Sequence, residues 1–398
     1  MTNKKELELY VHIPFCRQKC LYCDFLSAPA GQETISSYLS ALEEQIRQEG
    51  PDYEDRQIVS VFFGGGTPSL LSGEQLGRLT EMLYRCFRIA PGAEITLESN
   101  PGTLDFEKLC ACRQAGVNRL SMGLQSADDG QLRRLGRIHS FADFVRNYEQ
   151  ARRAGFANIS VDLMSALPGQ SVDSWLDTLK KTAQLGPEHI SAYSLIIEEG
   201  TPFWDWYGET EQKRPAPGKG LLPLPTEEED RRMYACTQSL LEQYGYRRYE
   251  ISNYARKGYA CRHNIGYWRR ADYLGLGLGA SSLVDNVRWK NTSKLDRYLQ
   301  DCREREEVQR LSAPEQMEEF MFLGLRLTEG VSAADFEKAF GTKIEAIYGP
   351  VLERLERQGL LVFSRREGKL RLTPYGVDVS NYAMAQFLLD SPDGTEGD

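Results

Sequence analysis

The chain has 398 residues, of which 41% are hydrophobic and 10% aromatic, so it can bury cores for two or three domains. Its formal net charge of −9 excludes a broadly basic surface, and we therefore expect no nucleic-acid partner. The sequence contains no run of about 18 apolar residues. Its first residues, MTNKKELELY, show no apolar signal segment, which predicts a cytoplasmic protein.

The first half of the chain alternates short apolar runs with stretches of helical periodicity. The apolar or alternating runs predict six strands at residues 7–13, 58–63, 94–97, 119–124, 159–163 and 190–197. Apolar residues spaced by three and four predict intervening helices, among them 35–48, 74–87, 141–153 and 172–185. Such alternation predicts an α/β fold of parallel strands with right-handed crossovers, as an open sheet or as a closed or partial barrel.

Residues that could bind a ligand or take part in a reaction follow the predicted strands at their C-terminal ends. They are the cysteines of 16–23, the glycine loop 64–68, Glu98 with Asn100, Gln125, and Ile196 at the close of the sixth strand. Asp162 lies within the fifth strand. Because that end of a (β/α) barrel carries the active site, the arrangement favours a partial (β/α)6 barrel around a ligand.

Cysteine spacing gives the sharpest chemical signal. The segment CRQKCLYC places Cys16, Cys20 and Cys23 directly after the first strand. Three thiolates can hold three irons of a [4Fe–4S] cubane and leave the fourth iron open. A structural zinc site would need a fourth ligand, and no second pair with suitable spacing lies nearby. A disulfide is also disfavoured, because nine cysteines in 398 residues are not a disulfide-dense composition.

The glycine loop and two carboxylates are candidate ligand contacts, and each has an ordinary structural alternative. Gly64, Gly65 and Gly66 lack Cβ atoms, so their backbone could approach a ligand or could simply form a tight strand-to-helix turn. Glu98 could accept from an amine or a ribose hydroxyl, or be a satisfied carboxylate at a strand end. Asp162 lies in a largely apolar strand, where a carboxylate without a partner is costly. We expect functional roles for both acids.

Changes in composition along the sequence divide the chain into five predicted segments. Residues 1–207 form the predicted barrel, and 208–225, rich in Gly and Pro, predict a surface loop or insertion. Thr226, followed by three glutamates, predicts a helix start at the head of a barrel-capping segment, 226–311. Residues 312–389 predict helices followed by a hairpin, a winged-helix-like module that covers the barrel mouth or forms a homodimer. Residues 390–398 predict a disordered acidic tail.

Several of these motifs together resemble the radical S-adenosylmethionine superfamily, in its coproporphyrinogen-oxidase-like branch. They are YVHIPFCRQKCLYCDF, FFGGGTP, ITLESNP, RLSMGLQS and ISVDLMSALPGQ, and the resemblance covers most of the chain. It implies a [4Fe–4S] cluster on Cys16, Cys20 and Cys23, with S-adenosylmethionine on the open iron, where one electron can cleave it to a 5′-deoxyadenosyl radical. It also implies S-adenosylmethionine contacts at the matching positions, which are Tyr10, Tyr22, Gly65, Gly66, Thr67, Glu98, Gln125, Arg137, Asp162 and Ile196.

Two functions compete within this branch. The oxygen-independent coproporphyrinogen III oxidases carry a further cysteine two residues after the third, where this chain has Phe25. They also carry an N-terminal extension, whereas only nine residues precede Tyr10 here. These departures put radical decarboxylation of propionate side chains in doubt and fit the heme-chaperone group of the branch. The oxidase is kept as the alternative, together with a different radical enzyme.

A second segment, CRHNIGYW, matches the His-Asn-x-x-Tyr-Trp element of that group and implies heme contacts by His263, Asn264, Tyr267 and Trp268. A neutral imidazole is a usual axial ligand of heme iron, and Tyr and Trp offer flat apolar faces. Without the resemblance, a histidine beside aromatic residues is more often packed and hydrogen-bonded. Candidate partners of the heme propionates are Arg262, Arg269 and Arg270. The resemblance further implies heme transfer to acceptor heme proteins at the membrane, with peripheral membrane association.

Overall fold

The computed structural model describes residues 5–208 and 220–389 of the chain. Its first half contains six parallel strands, which are β1 (Glu6–Ile13), β2 (Gln57–Gly65), β3 (Ile89–Ser99), β4 (Arg119–Gln125), β5 (Ile159–Ser165) and β6 (His189–Ser194). The helices of this half are α1 (Gln32–Glu49), α2 (Gly73–Cys86), α3 (Phe106–Gln114), α4 (Asp129–Arg134), α5 (Phe141–Arg153), α6 (Val172–Leu185) and α7 (Pro202–Tyr207). The predicted alternation of strands and helices is confirmed.

The sixth predicted strand, 190–197, is too long. The register between β5 and β6 ends at Ser165 and Ser194, and the last nearby backbone bond runs from Leu195 N–H to the Ser165 carbonyl at 2.9 Å. Leu195 and Ile197 pack against the small apolar cluster that includes Phe203 of α7. The apolar run beyond Ser194 therefore reflects packing of a loop, not strand pairing.

The remaining strands of this sheet extend both of its edges. They are β7 (Arg247–Arg248), β8 (Asn253–Ala255), β9 (Tyr273–Leu276), β10 (Ser281–Val284), β11 (Val287–Asn291) and β12 (Arg305–Arg310). The strand order is β12-β11-β10-β9-β1-β2-β3-β4-β5-β6-β8-β7. Because β1 pairs with β9 on its outer side and β6 pairs with β8, the six parallel strands stay an open, partial barrel, as the sequence favours.

Three helices belong to this second part of the chain, namely α8 (Glu227–Gln243), α9 (Arg262–Trp268) and α10 (Leu295–Gln300). The α8 helix starts as predicted at Thr226, whose hydroxyl accepts from the Glu229 N–H at 3.3 Å. The Glu229 carboxylate in turn accepts from the Thr226 N–H at 2.8 Å. This capping box satisfies donors that a helix start otherwise leaves free.

The side chains of the parallel strands point alternately to the two faces of the sheet, and the two faces differ in polarity. Along β1, Leu7, Leu9 and Val11 enter the main apolar core together with residues of the surrounding helices. Glu8, Tyr10 and His12 alternate with them and face the other side. The second face is unusually polar, because the inward positions of the next strands include Ser60, Glu94, Glu98, Arg119, Ser121 and Asp162.

The α9 helix packs against this polar face. The backbone N–H groups of Arg262 and His263 donate to Glu94 at 3.0 and 3.2 Å, so a carboxylate meets the positive end of the helix. The thiol of Cys261 lies 3.5 Å from the same carboxylate. The segment from 261 to 268 therefore fills the interior of the partial barrel on the side away from the cysteine loop.

The C-terminal unit has its own apolar core, which includes Phe336, Tyr348 and Phe387. Its helices are α11 (Ala313–Gly324), α12 (Ala333–Phe340), α13 (Ile344–Arg357), α14 (Pro374–Asp378) and α15 (Ser380–Ala385). Its strands are β13 (Val331–Ser332), β14 (Leu361–Ser364) and β15 (Lys369–Leu372), in the order β13-β15-β14. Helices followed by an antiparallel hairpin form the predicted winged-helix-like module. The predicted tail and residues 209–219 of the predicted loop lie outside the described residues.

Candidate functional site

The three motif cysteines lie on the loop that follows β1 and line one pocket of about 140 Å³, the cysteine pocket. The hydroxyl of Thr67 donates to the Cys16 sulfur at 3.4 Å, and Arg137 Nη1 lies 3.6 Å from the Cys20 sulfur. A guanidinium at this distance can donate a charge-assisted hydrogen bond to a cluster-bound sulfur. His12 holds the far end of the loop, since its Nε2 lies 2.9 Å from the Leu26 carbonyl.

Most of the predicted S-adenosylmethionine contacts share this pocket. Those that line it are Tyr22, Gly65, Gly66, Thr67, Glu98, Gln125, Arg137 and Asp162. Tyr10 faces a neighbouring cavity, which is described below. Ile196 is outside the lining of both and is 69% exposed. The structure thus brings together predicted site residues as far apart in the sequence as Cys16 and Asp162.

Tyr193 also lines the cysteine pocket, and sequence reasoning missed it. Its hydroxyl donates to Gln125 Oε1 at 3.4 Å. The available signal was strand alternation, because Tyr193 follows Ser191 by two positions on β6 and both face the same side. An aromatic residue at that position was indistinguishable by sequence from an ordinary core residue.

The glycine loop lets the cysteine loop approach β2 closely. A Cβ on Gly66 would lie 2.7 Å from the Phe15 carbonyl oxygen, and one on Gly65 would overlap the His12 ring. Gly65 also has a φ of +104°, a conformation that favours glycine. Backbone bonds from Gly66 N–H to the Ile13 carbonyl and from Thr67 N–H to the Phe15 carbonyl, 2.9 and 2.8 Å, fix the two loops together.

Two buried carboxyl groups face the pocket. Burial raises the pKa of Glu98 to about 8, and the nearby Asp162 charge adds to the rise. The Gly65 N–H, which donates to Glu98 at 3.2 Å, acts in the opposite direction. Burial also raises the pKa of Asp162, although hydrogen bonds from Ser191 and Ser121 and the charge of Arg119 oppose it. Glu98 therefore carries a proton near neutral pH until a cation approaches it.

Arg137 connects the cysteine loop with the ends of two strands. Its Nη2 donates to Asn100 Oδ1 at 2.6 Å and to the Gly123 carbonyl at 2.5 Å. Asn100 in turn donates to Thr67 Oγ1 at 2.8 Å. This network orients one positive charge toward the thiols and makes the guanidinium costly to move, because its donors are already paired.

A second, larger cavity adjoins the cysteine pocket, and we name it the aromatic cavity. Its volume is about 720 Å³, and it shares Gly65, Glu98 and Phe25 with the cysteine pocket. Its aromatic and apolar lining includes Tyr10, Leu26, Tyr267, Trp268, Tyr273, Leu283 and Leu323, and its cationic lining consists of Arg270, Arg288 and Lys290. A concave, mainly apolar space with a few charged groups is typical of a site for a large organic ligand.

The four residues of the second motif divide between this cavity and the interior. Tyr267 and Trp268 line the aromatic cavity, whereas His263 and Asn264 are outside its lining. The His263 side chain is 1% exposed, its Nδ1 lies 2.8 Å from Ser60 Oγ, and its Nε2 lies 2.9 Å from the Tyr267 hydroxyl. Its ring stacks on Phe62 at 5.1 Å between centroids. His263 thus stands behind Tyr267, and both of its nitrogens are engaged.

Glu8 is a second buried acid beside His263, with its Oε2 3.8 Å from His263 Nδ1. Burial raises the pKa of Glu8 to about 8, with smaller rises from Glu94 and Glu6 and an opposing hydrogen bond from Ser60. Burial lowers the pKa of His263 to about 3, and the charge of Arg119 lowers it further. The pair is therefore neutral near pH 7 and is not an ion pair.

Substitution of Glu8 by Gln should stabilise the protein at pH 8 and change little at pH 5. The folded chain holds a proton on Glu8 between the usual pKa of 4.5 and about 8, so this group's contribution to stability falls as the pH rises through that window. We expect a gain of about 2 kcal/mol in the free energy of unfolding at pH 8. Urea unfolding at both pH values measures it, and an equal change at both would contradict the raised pKa.

Within residues 5–208 and 220–389, no three Cys, His, Asp or Glu side chains converge closely enough to hold a single metal ion. A cubane cluster needs a different arrangement of ligands, because each thiolate binds a separate iron and the cysteine sulfurs surround the whole cluster. The three free thiols on one pocket wall, with Arg137 and Thr67 beside two of them, fit that need in their chemistry.

An open parallel sheet with a three-cysteine loop over a glycine turn defines the class of radical S-adenosylmethionine proteins. The Radical SAM superfamily pattern matches residues 10–182, and the pattern of the HemN C-terminal domain matches residues 311–379. The heme chaperone HemW of Bacillus subtilis is 36% identical over 384 residues, 95% of this chain and 98% of that protein. HemW of Escherichia coli is 35% identical over 372 residues, 91% and 93% of the two chains. The chain therefore belongs to the HemW family.

A solved structure shares this fold over nearly the whole length. It is the coproporphyrinogen III oxidase (HemN) of Escherichia coli, described as a radical SAM enzyme, with a TM-score of 0.81. The match covers 97% of this chain and 90% of that chain at 24% identity. At this identity the likeness supports the fold, including the C-terminal unit, and leaves the reaction to be argued from the site.

Proposed function

We propose that this chain is a heme chaperone that binds one heme in the aromatic cavity and delivers it to acceptor heme proteins. The observation that carries the proposal is the cavity itself, with a volume of about 720 Å³, an aromatic wall, a cationic side and a shared border with the cysteine pocket. The names of the HemW relatives support the same function. The proposal places heme next to the cluster site.

The lining of the aromatic cavity suits a porphyrin. Trp268 and Tyr273 offer flat apolar surfaces, and Trp268 Nε1 is buried with no hydrogen-bond partner among the described residues, so it can donate to a ligand. Arg270 lines the cavity and can pair with a propionate, and Arg288 and Lys290, which sequence reasoning missed, join it. The other two predicted propionate partners are engaged elsewhere, Arg262 with the Gly92 carbonyl and Arg269 with Glu329.

We further propose that Cys16, Cys20 and Cys23 hold a [4Fe–4S] cluster and that S-adenosylmethionine occupies the cysteine pocket beside it. When bound, the pair supplies one-electron chemistry at the cluster's open iron. Glu98 and Asp162 would accept from the amine and the ribose hydroxyls, and a cation beside Glu98 would favour its ionised form. The glycine loop would bring its backbone against the ligand.

His263 and Asn264 act behind the cavity wall in this proposal. His263 could reach a heme iron only by giving up its contact with Ser60 or Tyr267, each shorter than 3.0 Å. A buried imidazole that keeps both contacts fixes the Tyr267 phenol instead. Tyr267 and Trp268 are therefore the two motif residues that we propose to touch the porphyrin.

The proposed location rests on the composition of the chain, and the proposed acceptors rest on its HemW relatives. Among the described residues, none of the helices is both long enough and apolar enough to cross a bilayer. We propose a cytoplasmic chaperone that meets heme proteins at the membrane surface. A homodimer formed through the C-terminal unit stays a prediction. The lack of a nucleic-acid partner, expected from the net charge of −9, also stays a prediction.

An anaerobic titration of the cluster-reconstituted protein with heme tests the proposed function. We expect the porphyrin absorption band to saturate near one heme per chain, and Trp268→Ala to weaken binding at least about tenfold by removing a buried aromatic contact. Trp175→Phe, a change in the main core and outside the cavity lining, is the matched aromatic control. Binding that does not saturate would contradict the proposal.

The same preparation tests the alternative, an oxygen-independent coproporphyrinogen III oxidase. The reconstituted protein is incubated anaerobically with coproporphyrinogen III, S-adenosylmethionine and a reductant, and the products are separated by chromatography. A chaperone leaves the propionate side chains intact, whereas an oxidase decarboxylates propionate side chains and releases carbon dioxide. Turnover without saturable heme binding would favour the oxidase.

A further inference from the structure

Two arginines that line the aromatic cavity pair with a carboxylate of the C-terminal unit. Glu319 of α11 accepts from Arg270 Nε at 2.8 Å through one oxygen and from Arg288 Nη2 at 2.5 Å through the other. The Glu319 side chain is 8% exposed and that of Arg270 is 12% exposed. Leu323, on the same helix, also lines the cavity. The α11 helix therefore meets the cavity through Leu323, and its buried Glu319 carboxylate pairs with two arginines that line the cavity.

The two arginines have donors to spare. Arg270 Nη1 donates to Asn286 Oδ1 at 2.8 Å, while its Nη2 is buried without a hydrogen-bond partner among the described residues. Arg288 is 39% exposed and lies on β11 next to the cavity. Arg270, Arg288 and Lys290 bring three positive charges to the cavity lining, which also contains the carboxyl groups of Asp24 and Glu98, and Glu319 pairs with both arginines. The unpaired Arg270 Nη2 and the partly exposed Arg288 can therefore donate to a further carboxylate.

We infer that Arg270 and Arg288 are the carboxylate-binding end of the cavity and that Glu319 pairs with them as an internal substitute which a ligand's propionate displaces. This inference rests on the proposed function. It identifies the residues that select the ligand and the way in which heme binding (loading) alters α11. Exchange of one carboxylate for another keeps both arginines paired, and Glu319 moves toward water as α11 loosens, so neither side is left as an unpaired buried charge. Porphyrins with free propionates are therefore preferred over their esters.

Displacement of Glu319 also removes a tie between α11 and the barrel. The following segment keeps other ties, because Arg326 stays 3.5 Å from Glu250 and the Thr328 N–H still donates to the Tyr249 carbonyl at 3.0 Å. Loading would therefore loosen the first turns of α11 while the end of that segment stays attached. Heme binding becomes visible on the surface of the C-terminal unit, where an acceptor protein could detect it.

The test compares heme with its dimethyl ester on the full-length protein and two matched variants. Glu319→Gln keeps the shape and an acceptor oxygen but removes the competing charge, and we expect it to tighten heme binding by about tenfold while leaving the ester unchanged. Glu329→Gln is the control, because Glu329 pairs with Arg269 at 2.7 Å and both are half exposed outside the cavity lining. It should leave both affinities unchanged.

Hydrogen exchange gives the second readout. Amides of α11 should exchange faster when wild-type protein is loaded with heme, and faster in ligand-free Glu319→Gln than in Glu329→Gln. Should Glu319→Gln fail to fold, Arg288→Gln replaces it and should weaken binding of heme but not of the ester. Heme binding that is the same in wild type and Glu319→Gln, or a gain shared equally by heme and ester, would overturn this inference alone. Failure of wild type to bind either compound would overturn the proposed function with it.

Discussion

Cys20→Ser should abolish assembly of the iron–sulfur cluster. A cubane on three protein thiolates cannot lose one without exposing a second iron, and the Cys20 sulfur is also the one beside Arg137, at 3.6 Å. We expect the iron content of the reconstituted variant to be at least about tenfold lower than that of wild type. Mutation of a residue that only supports a metal ligand already lowers metal affinity by about tenfold or more, and mutation of the ligand itself should lower it further. Iron analysis and the charge-transfer absorption of the anaerobic protein measure the effect.

Cys110→Ser is the matched control for this prediction. Cys110 lies on α3, is partly buried and is outside the cysteine pocket, so its loss should leave the iron content unchanged. Because Cys20 is also outside the lining of the aromatic cavity, heme binding by Cys20→Ser should stay within about threefold of wild type. Full iron content in Cys20→Ser, or equal losses in both variants, would contradict the assigned ligand set.

His263→Ala should lower the free energy of unfolding by about 3 kcal/mol. The substitution empties the space of a ring stacked on Phe62 and leaves the Ser60 and Tyr267 hydroxyls without their partner in a buried place. Chemical denaturation of the cluster-free protein measures the change. Asn264→Ala, one residue further along α9 and half-buried, should cost less than about 1 kcal/mol.

The same variant separates a supporting histidine from an iron ligand. If His263 holds Tyr267 in place, heme bound to the folded variant should keep the position of its absorption maximum while its affinity falls. A variant that is as stable as wild type but shows a shifted or absent band would show instead that His263 meets the iron. Tyr267→Phe then reports on the phenol itself, since it removes only the hydroxyl that faces His263.

The order of strands and helices and the position of the cysteine pocket could be predicted from the sequence. Alternation and helical spacing are local properties, and the C-terminal ends of parallel strands must meet on one edge of the sheet. Cys16, Gly66, Glu98 and Asp162 therefore come together in the structure much as their positions after or within strands indicate. The sixth strand was misjudged because an apolar loop and an apolar strand have the same local pattern.

The buried polar layer could not be predicted in the same way. Glu8, Ser60 and Glu94 alternate with apolar residues, and such a pattern ordinarily indicates a solvent-facing side of a sheet. Here that side is covered by α9, whose residues are about two hundred positions further along the chain, as in the Ser60 to His263 contact. A histidine beside aromatic residues looks the same in sequence whether its ring is packed in the interior or exposed to a ligand, and only the fold distinguishes the two.

The cationic wall was only partly accessible from sequence for a related reason. Arg270 was found because it follows the second motif, but Arg288 and Glu319 belong to β11 and α11, where charged residues are usually solvated. Their partnership depends on how the C-terminal unit meets the sheet. That contact is set by tertiary packing, and a single sequence carries no local trace of it.

A structure of the anaerobic, cluster-reconstituted protein crystallised with heme tests the proposed heme site most directly. We expect one porphyrin in the aromatic cavity, in contact with Tyr267 and Trp268, with its propionates on Arg270 and Arg288 and a cluster on the three motif cysteines. A heme held elsewhere, with the aromatic cavity left empty, would contradict the proposed site.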